Sequence, residues 1–190
     1  MRITTGKYKG RNIGRPAGIR PTQDKTRKAL FDILGDIKGL TFLELFAGSG
    51  AVGIEAASRG AQEVVFVENN PNALKALTSN TAYIKDTRYM IIAQEAERVI
   101  TRLDREKKRF DLIFLDPPYN QGLVKKTLQT LGACDILSPN GLAIAQHFQK
   151  EDLPAQPGVL SLFRQYKYGS TVLSLFEKKH VPASDLSRDI

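Results

Sequence analysis

From Leu40 onward, short apolar runs alternate with segments whose apolar residues recur every three or four positions. The runs predict strands at 41–45, 63–67, 89–93, 111–115 and 141–146, and the periodic segments predict helices over about 51–59, 71–82, 95–107 and 122–131. Strands apolar along nearly their whole length suit a parallel sheet covered on both faces, so the pattern predicts an α/β fold. Pro71 fits the first turn of a helix, and Pro139-Asn140-Gly141 predicts a turn before the fifth strand. Two later runs, 160–168 and 171–177, meet at Gly169-Ser170 and read as a hairpin that adds antiparallel strands at one edge. Upstream, Ala29, Leu30, Ile33, Leu34 and Ile37 form the stripe of a helix over 23–37, with Thr22 as N-cap and Asp24 in its first turn. Residues 1–20 read as short strands or loops turning at Gly6 and Gly10. The organisation expected is a small N-terminal β/loop extension (1–22), one domain (23–178) and a loose tail (179–190).

In an open sheet of this kind ligands lie beyond the carboxyl ends of the strands. Three predicted strands end there on an acid: Glu44, Glu68 and Asp116. The fourth runs into Asp116-Pro117-Pro118-Tyr119. Two consecutive prolines fix two φ angles and remove two N–H donors, which leaves a rigid corner of acceptors beside a flat aromatic face. Such a corner suits a planar ring with an exocyclic NH₂, stacked on Tyr119 and held through its two N–H groups. An ordinary loop can share those four residues, so the motif gains weight from a second one upstream.

That second motif is Glu44-Leu45-Phe46-Ala47-Gly48-Ser49-Gly50, a strand end passing through a glycine turn into a helix. Gly48-x-Gly50-x-x-Gly53 also satisfies a dinucleotide fingerprint, and Glu68, 18 residues after Gly50, can accept both hydroxyls of a ribose in either cofactor class. Glu44 separates the two. A carboxylate at this turn repels a pyrophosphate but favours the ammonium and sulfonium of S-adenosylmethionine (AdoMet), although it could equally cap nearby backbone N–H groups. Gln94-Glu95-Ala96, ending the third strand, is the natural place for adenine contacts. The cofactor set expected is therefore Glu44, Phe46, Ala47, Gly48, Ser49, Gly50, Glu68, Asn69, Glu95 and Ala96.

Composition is that of a soluble globular chain, 42% hydrophobic and 25% charged. No apolar run approaches the ~20 residues needed to cross a bilayer. One cysteine, Cys134, and two histidines, His147 and His180, offer no metal cluster, so the expectation is a cytoplasmic monomer without a metal. The net charge of +8 is uneven. Residues 1–38 hold ten Lys/Arg against three Asp, net +7, interleaved with glycines, prolines and Tyr8, the composition of an ordered segment that lies on a phosphate backbone. Arg2, Lys7, Lys9, Arg11, Arg20, Thr22 and Arg27 are the candidate RNA contacts.

Taken together, Arg2-Ile3-Thr4-Thr5-Gly6 with Lys9-Gly10-Arg11, Arg20-Pro21-Thr22 with the helix Arg27–Leu34, Leu45–Gly50, and Asp116-Pro117-Pro118-Tyr119 resemble the RsmD family of class I AdoMet-dependent methyltransferases. The resemblance covers nearly the whole chain. It implies a Rossmann-like, mostly parallel seven-stranded sheet with helices on both faces and the antiparallel hairpin at one edge. It also implies methyl transfer to the N2 amine of a guanine in small-subunit (16S) ribosomal RNA. Two departures stand out: the family usually has Asp where this chain has Glu44, and Lys25-Thr26 replaces a more usual Arg-Val. On this reading Asp116 and the Pro117 carbonyl accept from the amine, Pro118 shapes the corner and Tyr119 stacks on the base. Rival readings are an adenine-N6 methyltransferase, an NAD oxidoreductase and a non-catalytic RNA-binding module of the same fold.

Overall fold

The computed structural model describes residues 1–14, 24–119 and 121–179. Five helices and seven strands follow in chain order: α1 (Asp24–Leu34), β1 (Thr41–Leu45), α2 (Ala51–Ser58), β2 (Glu63–Val67), α3 (Pro71–Thr81), β3 (Arg88–Ile92), α4 (Ala96–Arg105), β4 (Phe110–Leu115), α5 (Leu123–Gly132), β5 (Leu137–Phe148), β6 (Leu160–Tyr168) and β7 (Thr171–Lys178). They build one seven-stranded sheet in the order β3-β2-β1-β4-β5-β7-β6. The first five strands are parallel, and β7 and β6 close the far edge antiparallel.

Alternation along the strands sorts the core into two layers. Phe42, Val64, Phe66, Leu112, Phe114 and Ile144 face one side, beneath α1 and α2. Leu43, Leu45, Val65, Val67, Ile113 and Leu115 face the other, beneath α4 and α5. Both faces of the central strands are buried, as their near-continuous apolarity requires.

Two boundaries depart from the sequence pattern. α1 stops at Leu34 rather than at 37, because Gly35 takes φ +69° and leaves the helix. β5 begins at Leu137, so Pro139-Asn140-Gly141 lies inside the strand as an irregularity and not before it. The pairing jumps there from Phe110↔Leu137 to Leu112↔Leu142, and Pro139, with no N–H to give, sits where the ladder is interrupted. The N-cap expected at Thr22 lies outside the described residues.

The N-terminal residues form a tight hairpin. Arg2 bridges Asn12, Ile3 N–H donates to Arg11 O at 3.0 Å and Gly10 N–H to Ile3 O at 2.9 Å. The hairpin is packed on the body: Ile3, Tyr8 and Ile13 are buried in the same layer as α1 and α2. A buried acid on α2 anchors it. Glu55 accepts from Thr4 N–H (2.8 Å), Thr4 Oγ1 (2.7 Å), Thr5 N–H (3.0 Å) and Arg59 Nε (3.1 Å).

Candidate active site

β1 ends in a sharp turn. Phe46 follows it at φ 59°, one of two non-glycine residues with positive φ among those described, and a residue held in that sparsely populated region commonly marks a functional turn. Gly50 (φ +76°) opens α2, and Gly53 packs so closely that a Cβ there would lie 2.4 Å from the Phe66 ring and 2.8 Å from Glu44 Oε2. Both glycines are therefore structural requirements of the turn. Asn80 clasps the turn from α3, its Nδ2 donating to Ser49 O at 2.9 Å and to Gly14 O at 3.0 Å.

Glu44 lies beneath this turn, only 3% exposed, and accepts from Gly53 N–H at 2.9 Å. Burial pushes its carboxyl up to about 8, against the opposing pull of the Gly53 and Val52 N–H groups. The carboxyl thus caps the helix entry. Glu68, at the end of β2, accepts three backbone N–H groups: Gly48 at 2.7 Å, Asn69 at 2.9 Å and Asn70 at 2.8 Å. These bonds hold the carboxylate rigidly across from the glycine turn.

The loops after β1, β2, β3 and β4 open on one cleft of about 250 Å³. Phe46, Glu68, Asn69, Glu95, Ala96 and Pro118 line it, all of them site residues expected from the sequence. Gln121 just before α5, and Leu123 and Lys126 at its start, also line it and carried no sequence signal. Ala47, Gly48, Ser49 and Gly50 shape the turn and are absent from the lining of this cleft.

Asp116 stands beside the cleft at the end of β4, next to β5. Gln146, on β5 and 4% exposed, donates from Nε2 to Asp116 Oδ2 at 2.9 Å, and the same nitrogen lies 3.5 Å from Tyr119 Oη. Its Oε1 is buried with no hydrogen-bond partner among the described residues, a rare state for a core amide and one that needs a reason. Tyr119 Oη is also 3.5 Å from Thr171 Oγ1, and its ring lies 6.3 Å from that of Phe148. Gln146, Phe148 and Thr171 were missed in the sequence because a polar residue inside an apolar strand, and two at the ends of neighbouring strands, belong to no local motif.

The expected RNA contacts divide. Arg2, Lys9 and Arg11 are exposed, Arg11 stacking over Tyr83 at 4.4 Å. Lys7 is exposed and paired with Asp86 at 2.5 Å. Arg27 is a correction: it is fully buried, ion-paired to Glu55 at 3.7 Å and hydrogen-bonded to Arg2 O, so it holds the hairpin and has no surface to offer a phosphate. Arg20 and Thr22 lie outside the described residues. Among the described residues no helix is long and apolar enough to cross a membrane, and no group of His, Cys, Asp and Glu could hold a metal.

The parallel core with its antiparallel edge, the glycine turn after β1 and the acid-Pro-Pro-Tyr corner after β4 define a class I methyltransferase. A family model described as conserved hypothetical protein 95 matches residues 1–177. YlbH of Bacillus subtilis strain 168, provisionally named an rRNA methyltransferase, is 34% identical over 183 residues, 94% of this chain and all of the relative. Ribosomal RNA small subunit methyltransferase D of Escherichia coli K12 is 30% identical over 188 residues, covering 97% of this chain and 93% of the relative. A hypothetical protein of Thermus thermophilus superposes with a TM-score of 0.82 at 34% identity, over 93% of this chain and 99% of that one. The chain belongs to the RsmD family.

Proposed function

We propose that this protein methylates the N2 amine of a guanine in small-subunit ribosomal RNA, with AdoMet as methyl donor, in the cytoplasm. The observation that carries the reading is the meeting, around one cleft, of Phe46 from the turn after β1, the rigidly held Glu68, the Glu95-Ala96 helix entry and Pro118 of the corner after β4. The relatives' names supply the RNA class. The residues present fit AdoMet: Glu68 and Glu95 place acidic acceptors at the cleft, and Phe46 supplies an apolar wall. When bound, AdoMet supplies an electrophilic methyl group. Glu68 would hold its ribose hydroxyls and Glu95 and Ala96 its adenine, while the buried Glu44 would support the glycine turn from beneath.

Asp116 and the Pro117 carbonyl accept the two N–H bonds of the guanine amine, which favours a more tetrahedral nitrogen and aims its lone pair. Positive charge grows on that nitrogen as the new bond forms, the Asp116 carboxylate stabilises it, and the nitrogen then gives up one proton to Asp116 or to water. Gln146 keeps that carboxylate in place. Tyr119 stacks on the base, which must be presented unstacked from a loop or by flipping.

Labelled AdoMet incubated with small ribosomal subunits from cells lacking the enzyme, followed by mapping of the labelled base, tests the reading. Label on a guanine N2 supports it; label on an adenine N6, or none, overturns it. Calorimetry with AdoMet set beside NAD tests the cofactor separately, and binding of NAD alone would exclude AdoMet.

A further inference from the structure

The antiparallel edge of the sheet carries a second surface continuous with the catalytic corner. Residues paired directly across antiparallel strands point to the same face. Phe148 pairs with Thr171 and Thr171 with Tyr168; Gln146 pairs with Leu173 and Leu173 with Tyr166; Ile144 pairs with Leu175 and Leu175 with Arg164. Gln146 and Thr171 both approach Tyr119, so this is the face on which Asp116 works. One row therefore runs Tyr119, Phe148, Thr171, Tyr168 from the reacting corner to the outermost strand. A second, beside it, ends on Tyr166, and Arg164 stands next to that, its Nη1 3.3 Å from Tyr166 Oη.

The outer end of this surface is open and carries a guanidinium. Tyr168 is 36% exposed and Arg164 is exposed. By alternation along the strands, Lys167 and Lys178 point to the opposite face, where Lys178 pairs with Asp135, so Arg164 is the strand cation that this face presents. Aromatic rings followed by a guanidinium are the pairing that single-stranded nucleic acid needs: faces for bases to stack on and a cation for the backbone. No sequence motif drew attention to it, since the charge of this chain concentrates in the first 38 residues.

We propose that the β6–β7 hairpin is a docking track for the unpaired RNA next to the methylated base, with a neighbouring base on Tyr168 and its phosphate on Arg164. The inference rests on the RNA-methyltransferase reading and assigns the path by which the substrate strand leaves the corner. It also gives the hairpin a role distinct from that of the N-terminal basic hairpin, which is anchored at the far end of α2.

The test compares wild type with Tyr168→Ala, Tyr168→Phe and Arg164→Ala, using unmethylated small subunits and, in parallel, protein-free ribosomal RNA. The two alanine variants are expected to raise KM for both substrates at least about fivefold, the lower range for losing one stacked base, with kcat and AdoMet affinity within twofold. Tyr168→Phe, which keeps the ring, is expected to match wild type. Unchanged KM in both alanine variants overturns the track. A defect seen with subunits and absent with protein-free RNA also overturns it, by assigning the surface to a ribosomal protein. A wild type that transfers no methyl group to RNA defeats the functional reading instead. In that case the affinity of wild type and Tyr168→Ala for a fluorescent single-stranded RNA decides the track, equal affinities overturning it.

Discussion

Glu44, sealed beneath the glycine turn, keeps its proton up to about pH 8 because burial outweighs the two backbone N–H groups that favour its anion. An unfolded chain releases that proton near 4.5. The native state thus binds more protons between about pH 4.5 and 8, and stability falls as pH rises through that window. Thermal melts from pH 5 to 9 should show wild type losing ground toward pH 9 against Glu44→Gln, and parallel curves would assign the titration to another group. A second residue-scale test concerns the corner. Asp116→Ala should lower kcat at least ~100-fold with AdoMet affinity little changed, the scale for one preorganised electrostatic group. Gln146→Met should lower kcat on the order of tenfold, as befits a hydrogen bond to a charged group, and should add nothing in the Asp116→Ala background because both act through one carboxylate. Equal and independent losses in the two backgrounds would show that Gln146 does not act through Asp116. The acid was legible in the sequence because Pro-Pro-Tyr marks it out. The amide was not, because nothing adjacent to Gln146 distinguishes it from any polar residue in a buried strand.

Among the elements, the strands of the parallel core were the most legible. β1 and β2 fall on the apolar runs at 41–45 and 63–67 because both their faces are buried and turns bound them. β5 begins four residues before the strand expected at 141–146, since Pro139-Asn140-Gly141 has the chemistry of a turn and only the neighbouring β4 shows that the strand extends across it. The N-terminal hairpin was the least legible. Its charge and glycines were visible, but the acid that anchors it lies on α2, and no local pattern links residues 50 positions apart. Replacing that acid tests the anchor. Glu55→Ala takes a buried carboxylate from Arg27 and leaves the Thr4 and Thr5 N–H groups without their acceptor. The expected loss is about 3 kcal/mol, the lower range for breaking a buried ion pair, read by urea unfolding. Hydrogen exchange at Ile3 and Gly10 should also quicken toward that of an isolated hairpin. A loss below about 1 kcal/mol would mean that Ile3, Tyr8 and Ile13 hold the hairpin by packing alone.

At the scale of the molecule, a methyltransferase body close to neutral follows a basic stretch over residues 1–38, and four of its cations, Arg2, Lys7, Lys9 and Arg11, sit on the docked hairpin. If Lys7, Lys9 and Arg11 meet phosphates, replacing all three with Ala should flatten the log–log salt dependence of RNA binding by about 2, taking roughly 0.7–0.9 per contact and allowing for the tie between Lys7 and Asp86. AdoMet affinity should stay as it was. An unchanged slope would reduce the hairpin to a solubilising surface. The way this hairpin is fastened also sets the order in which the chain can assemble. Thr4, Thr5 and Tyr8 bind Glu55 and Ser58, partners 50 or 51 positions downstream. During synthesis the residues of the hairpin leave the ribosome seconds before the helix that receives them, at roughly 5–20 residues per second. The surface proposed to bind RNA is therefore made early and finished late, and it spends that interval as an unfolded cationic chain beside the RNA of the ribosome that makes it.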